Sequence, residues 1–252
     1  MSTRQSHETC NEDFYAGAAL DVWRRANSVE DTEEQLAFLQ EALAAAEGAR
    51  LLDLPCGNGR LSLPLSLLGY EVTGVDTCEE YLLEAEKSAK KHKTQINYVR
   101  GDMRKFSERK KYDGVICMGN SFGYFDRADS QEFFATVSKN LKSGGRFIID
   151  TQTVAECFLV NGGEREWVKV GDIFMLTENH YDCRQSCVEI TYTFIRNGKV
   201  EQRRAVHWIY TAGELCQMLE HAGMSVLELY CNTDLEPFAV GSERLLLVSE
   251  KR

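Results

Sequence analysis

No run in this sequence approaches the roughly 18 consecutive apolar residues of a membrane span, and the polar opening MSTRQSHETC has no secretory-leader core. The expectation is a cytoplasmic chain without a membrane partner. A long basic tract is also missing. Lysine and arginine total 29 against 39 aspartates and glutamates, a formal net charge of −10. Binding to nucleic-acid backbones or anionic membranes needs a positive footprint, so nucleic acid is disfavoured and a small-molecule partner is expected. Cysteine is plentiful but never paired as CxxC. The nine cysteines, at 10, 56, 78, 117, 157, 183, 187, 216 and 231, are odd in number and scattered, which points to free thiols, several of them buried. His180, Cys183 and Cys187 offer three ligand types across a predicted hairpin turn without zinc-site spacing, so no metal is expected.

What is present is concentrated in ARLLDLPCGNGRLSLPLSLLGYEVTGVD, Ala49 to Asp76. Leu51, Leu52 and Leu54 form an apolar run too short for a helix, and Tyr70 to Val75 forms another; each is followed or closed by an aspartate. Between them, Arg60 to Leu68 is a leucine-rich helix-length piece, giving strand, glycine turn, helix and strand. A helix is predicted upstream over Thr32 to Ala46, with Leu36, Leu39 and Leu43 on one face and Gly48 as its stop. Downstream the alternation continues with a helix over Glu79–Lys91, strands at Ile96–Val99 and Gly114–Met118, a helix over Asp129–Leu141 and a strand at Arg146–Asp150. The pattern then becomes extended. Glu166–Val170, Ile173–Tyr181, Val188–Arg196 and Val200–Tyr210 read as antiparallel strands, with Asn197-Gly198 turning the last hairpin. Thr211 to Glu214 reads as a capping box for a helix through Leu219, before final strands at Met224–Tyr230 and Arg244–Val248. This divides the chain into an amino-terminal helical cap (1–48), a cofactor-binding core (49–160), an antiparallel insertion (161–210) and the remainder of the core (211–252).

Gly57-Asn58-Gly59 lets backbone approach a ligand, and the next helix offers it free amides. The third glycine of a dinucleotide fingerprint and the Gly-Lys-Ser/Thr of a phosphate loop are both absent. Asp53 stands before the turn, where it can orient the loop or meet an ammonium. Asp76 closes the second strand, placed for ribose hydroxyls, and Asp102-Met103 follows the third, suited to an exocyclic amine and the face of a base. Three carboxylates at successive strand ends suit an adenosine with a cationic tail better than a pyrophosphate. That cofactor is S-adenosylmethionine.

LDLPCGNGR, GVD, GDMR and GNSFGYF together resemble the bacterial class I S-adenosylmethionine-dependent methyltransferases, in the small-molecule branch similar to glycine and amino-sugar N-methyltransferases. The resemblance covers about residues 14–248. It implies an α/β, doubly wound Rossmann-like sheet with an antiparallel insertion between the fifth core strand and the next helix, serving as lid or subunit contact, so that a homodimer through the insertion is one expectation. It also implies that Gly57 and Gly59 contact the methionine part, Asp76 the ribose, and Asp102 with Met103 the adenine. Tyr15, Trp23 and Arg24 are implied to close over the cofactor and its carboxylate. Met118, Asn120 and Ser121, at the end of the fourth strand, are expected to complete the cofactor site.

Methyl transfer requires a nucleophile aligned behind the methyl group and protected from water. Asn120-Ser121-Phe122-Gly123-Tyr124-Phe125 departs from the Asn-Pro-Pro-Tyr pattern of nucleic-acid amino methyltransferases. Tyr124, His207 and Tyr210 are the candidate catalytic residues, His207 because imidazole titrates near neutrality. The insertion's aromatics, Trp167, Phe174, Tyr181, Tyr192, Trp208 and Tyr210, suit an acceptor pocket or a small core. The expected activity is methylation of a small-molecule nitrogen or oxygen by in-line displacement. An RNA or protein methyltransferase and a non-catalytic S-adenosylmethionine-binding module are the alternatives.

Overall fold

The computed structural model describes residues 12–252; Cys10 and the first eleven residues of the cap segment lie outside them. A 3-10 turn (Glu12–Tyr15) leads into α1 (Gly17–Arg24) and α2 (Val29–Leu43). The latter begins earlier than expected. Ser28 Oγ accepts the Asp31 amide at 3.0 Å while the Asp31 carboxylate accepts the Ser28 amide at 2.8 Å, a reciprocal cap that fixes the start. Ala44, left-handed at φ 47°, ends the helix ahead of Gly48.

Next come β1 (Arg50–Asp53), α3 (Ser62–Leu67), β2 (Glu71–Asp76), α4 (Glu79–Lys91), β3 (Asn97–Arg100), β4 (Tyr112–Cys117), α5 (Arg127–Asn140) and β5 (Leu141–Thr151). The short helix α6 (Ala155–Asn161), absent from the sequence reading, precedes β6 (Arg165–Val170), β7 (Ile173–Asp182), β8 (Cys187–Arg196) and β9 (Lys199–Trp208). Then α7 (Ala212–His221), β10 (Met224–Tyr230) and β11 (Leu245–Lys251) complete the chain.

The main sheet has the order β10-β11-β5-β4-β1-β2-β3. All its pairings from β5 to β3 are parallel, while β11 runs antiparallel to both neighbours. Side chains alternate across a strand, so each central strand feeds two cores. Leu52, Val115, Cys117, Phe147 and Ile149 join Phe133, Phe134, Leu215 and Leu219 of α5 and α7 on one face. Leu51, Ile116, Ile148 and Leu246 join Phe38, Leu39 and Leu43 of α2 and Leu65 of α3 on the other. The carboxyl ends of the parallel strands consequently open onto a single edge, where ligands of such sheets bind.

The second sheet, β6-β7-β8-β9, is antiparallel throughout. Its inner face carries Ile173, Tyr192, Phe194 and Ala205, which pack on Phe14 and on Ala18, Ala19 and Val22 of α1. Trp167 and Phe174 lie tilted against each other on the outer face, ring centroids 6.2 Å apart, Trp167 being 71% exposed. The described cysteines are all free. No helix among the described residues is long and apolar enough to cross a membrane.

Candidate active site

The turn after β1 is held by its neighbours in the sheet. The Leu54 and Cys56 amides donate to Ile116 and Val75 carbonyls, both at 2.9 Å. Asp76, ending β2, reaches back with one oxygen to accept the Gly57 amide at 2.8 Å and uses the other for the Cys78 amide at 2.8 Å, tying the turn to the start of α4. Burial raises the Asp76 pKa against these two hydrogen bonds. Gly57 is left-handed at φ 53°, and a Cβ there would project into open space. Asp53 is buried and accepts from Ser62 Oγ at 2.6 Å; burial pushes its carboxyl up to about 7 despite that bond.

A cavity of about 470 Å³ opens over this edge, bordered by every predicted site residue except Gly59 and Tyr210. Met118, Asn120 and Ser121 line it from the end of β4, while Tyr15, Trp23 and Tyr192 come from the α1 segment and the second sheet. Asp102 borders it with its carboxylate engaged by Arg104, whose Nη2 donates at 2.6 Å and backbone amide at 2.9 Å. Burial opposes ionisation of Asp102, but the Arg104 hydrogen bonds outweigh it and hold the pKa below the usual value. Trp23 Nε1 is buried with no hydrogen-bond partner among the described residues. It stands beside Tyr192, with ring centroids 5.9 Å apart.

On the insertion side, the Trp208 amide donates to the Gly123 carbonyl at 2.6 Å, joining β9 to the loop after β4. That link brings His207 and Tyr124 together, with ring centroids 4.6 Å apart, and Tyr124 Oη lies 3.2 Å from Tyr15 Oη. His207 is 4% exposed, and neither ring nitrogen has a hydrogen-bond partner among the described residues. Burial lowers its pKa to about 4, so the imidazole is neutral at physiological pH.

Three of the expected site residues make other contacts in this geometry. Gly59 faces away from the cavity: at φ 79°, a Cβ would overlap Tyr98 Oη and crowd Ala85, so its glycine serves packing against β3 and α4. Tyr210 lies in the main core, donating to the Phe125 carbonyl at 3.0 Å beneath α7, because β9 ends at Trp208 and the chain turns inward. Arg24 borders the cavity, but its guanidinium is paired with Asp21, Glu84 and Glu80 and anchors α1 to α4. Its charge is met there by three protein carboxylates.

Residues 51–145 match the family model described as a methyltransferase domain. That stretch, from β1 into β5, is a methyltransferase domain. The chain is 26% identical over 229 residues to a putative methyltransferase of Geobacillus sp. (strain WCH70), covering 85% of this chain and 90% of that one. Its fold matches an S-adenosylmethionine-dependent methyltransferase from Clostridium acetobutylicum with a TM-score of 0.80 at 23% identity, covering 92% and 95% of the two chains. An amino pentose methyltransferase of Micromonospora echinaspora involved in calicheamicin biosynthesis, solved with S-adenosylmethionine bound, matches with a TM-score of 0.70 at 17% identity over 96% and 100%. S-adenosylmethionine is the cofactor named for both of these solved structures.

Arg60 and Arg244 are among the cavity residues missed from the sequence. Arg60 directly follows Gly59, and that adjacency was the available signal; its guanidinium donates to Thr32 Oγ1 at 3.2 Å and Gln35 Oε1 at 2.8 Å. Arg244 enters from just before β11 and pairs through Nε with Asp150 Oδ1 at 3.3 Å. Nothing local in the sequence announces Arg244. Its proximity depends on β11 inserting beside β5.

Proposed function

We propose that the chain methylates a nitrogen or oxygen of a small molecule by direct in-line displacement. The observation that carries this reading is the single cavity in which the carboxylates after β2 and β3, the glycine turn, and the Tyr124–His207 pair all meet. The residues suit S-adenosylmethionine: the space over Gly57 is open, Trp23 Nε1 is an unused donor, and each oxygen of Asp76 retains acceptor capacity. When bound, S-adenosylmethionine supplies an electrophilic methyl group on a sulfonium.

In this reading Asp76 accepts from ribose hydroxyls and Asp102 from an exocyclic amine, while Met103 packs against the base. Gly57 and Asn58 present backbone along the methionine part, with Met118, Asn120 and Ser121 across from them. Asp53 keeps the turn in place through Ser62. Tyr15, Trp23 and Tyr192 exclude water, α1 and the insertion together acting as the cover. His207, neutral with a free lone pair, accepts a hydrogen bond from the nucleophile and aims it. A pKa of about 4 suits orientation of an uncharged amine or hydroxyl more than deprotonation of an ammonium. Tyr124 flanks the same position. A homodimer contact, where formed, would use the outer face carrying Trp167 and Phe174.

The amino pentose acceptor of one structural neighbour and the net charge of −10 support a small-molecule acceptor over RNA. The test is transfer of labelled methyl from S-adenosylmethionine into a metabolite extract, total RNA and a protein extract, separately. Label entering metabolites alone is expected. Label confined to RNA or protein refutes the acceptor class, and saturable cofactor binding without transfer into any of the three favours a binding module.

A further inference from the structure

Two guanidiniums meet at one corner of the cavity beside the buried carboxylate of Asp150. Arg60 has neutral hydrogen-bond partners, Thr32 and Gln35. Arg244 faces Asp150, which is fully buried and uses its other oxygen for the Gly119 amide at 3.1 Å. Asp31, the other carboxylate near both arginines, is committed to capping α2. Asp53 also feels Arg60, but it is tied to Ser62 in a site where burial disfavours its charge. Two guanidiniums thus stand against two carboxylates, Asp150 and Asp31, and Arg244 meets Asp150 through Nε, which leaves its two terminal nitrogens for a ligand.

Sheet order says which part of the cavity this is. Leu245 pairs with Thr151, so Arg244 and Gln152 sit side by side just past the paired ends of β11 and β5. The adenosine-facing carboxylates follow β2 and β3, on the other side of β1. Arg244 stands three strand spacings from β1 in the opposite direction, roughly 14 Å at ~4.8 Å per strand. Gln152 donates its amide to Asn120 Oδ1 at 2.7 Å, which joins the corner to the loop carrying Tyr124. It thus adjoins the place where the nucleophile is held in the function proposed above.

We propose that Arg244, with Arg60 behind it, forms an anion subsite for the acceptor, so that the substrate class is a small amine or alcohol bearing a carboxylate or phosphate. A guanidinium takes either group in a two-pronged hydrogen bond, and holding the anion at this corner directs the rest of the molecule toward His207 and Tyr124. This inference rests on the small-molecule reading of the site.

The experiment fractionates a metabolite extract on an anion-exchange resin and supplies the retained and unretained pools separately with labelled S-adenosylmethionine. Wild type, Arg244→Lys, Arg244→Gln and the pair Asp150→Asn/Arg244→Gln are compared, the pair removing the buried carboxylate together with its partner so that folding is preserved. Affinities for S-adenosylhomocysteine and for 5′-methylthioadenosine, which lacks the carboxylate, are measured for each variant. The expected result is label entering the retained pool, at least tenfold less with Arg244→Gln and with the pair, partly recovered with Arg244→Lys, and no more than a twofold change in either affinity. Phosphatase treatment of the pool separates the sources, abolishing labelling for a phosphate and sparing it for a carboxylate. Label arising only from the unretained pool overturns the subsite while leaving the small-molecule reading intact. A tenfold loss of S-adenosylhomocysteine affinity in Arg244→Gln, with methylthioadenosine unaffected, overturns it by giving the corner to the cofactor's own carboxylate. Label from neither pool, with transfer into RNA or protein, removes the small-molecule reading and this inference together.

Discussion

Replacing His207 with leucine should make the protein more stable and less active at once. Both ring nitrogens are buried without partners, and an unsatisfied buried polar group costs about 1–3 kcal/mol. Leucine fills a similar volume without polar atoms. At pH 7.5 His207→Leu should therefore raise stability by about 1–3 kcal/mol, or about 2–4 °C in Tm per kcal/mol for a domain of this size. The pH dependence adds a second signature. The folded pKa is about 4 against ~6.5 for an unperturbed histidine, so between these values the unfolded chain binds more protons than the native one. The wild type accordingly loses stability as pH falls from ~6.5 to ~4, by up to roughly 3 kcal/mol from this residue, and the variant does not. Turnover should fall about 10- to 100-fold through loss of one orienting hydrogen bond, with S-adenosylhomocysteine affinity unchanged. Thermal unfolding at pH 7.5 and 5, paired with kcat and calorimetric titration, measures all of this. A variant less stable at pH 7.5 with full turnover would show that the nitrogens are satisfied in solution and do not serve the reaction.

Asp76→Ala removes the acceptor of the Gly57 and Cys78 amides as well as the ribose acceptor, so S-adenosylhomocysteine should bind about 10-fold or more weakly by calorimetry; equal affinity in a folded variant would reject its role. Gly59→Ala should cost about 1–3 kcal/mol through its left-handed backbone and the overlap with Tyr98, and Tyr98→Phe should recover part of the loss in urea unfolding. For Asp53, whose folded pKa of about 7 lies above the ~3.9 of an unfolded aspartate, stability is lost as pH rises from ~4 to ~7. Asp53→Asn should flatten that decline in urea midpoints taken at pH 4.5 and 8. Tyr210→Phe should leave kcat unchanged and cost about 0.5–1.5 kcal/mol, the value of its bond to the Phe125 carbonyl; a large drop in kcat would return Tyr210 to the site.

Features governed by neighbours along the chain are legible in the sequence. The apolar runs around Gly57, the helix over Glu79–Lys91, the turn at Asn197-Gly198 and the capping box at Thr211–Glu214 all formed where expected, because alternation, turn chemistry and caps act over a few residues. The carboxylates after β2 and β3 were readable for the same reason: in a parallel sheet the end of each strand faces the shared edge. The Ser28–Asp31 cap was legible in principle and overlooked, which misplaced the start of α2.

What tertiary structure decided was which polar groups remain free once the chain has folded. Arg24 has the charge to hold a carboxylate, yet α4 brings Glu84 and Glu80 to it; Tyr210 has a phenol suited to catalysis, yet the turn after β9 buries it under α7. Gly59 looks like its partner in a ligand-binding pair until Tyr98, across from it on β3, shows the space to be taken. Arg244 and His207, distant in sequence from the glycine turn, reach the cavity only because β11 inserts beside β5 and β9 is tied to the loop after β4. Local sequence sets backbone conformation through short-range sterics and hydrogen bonding. Availability of a charge or a lone pair depends on desolvation and on partners contributed by distant segments, and those exist only after the strands have taken their order.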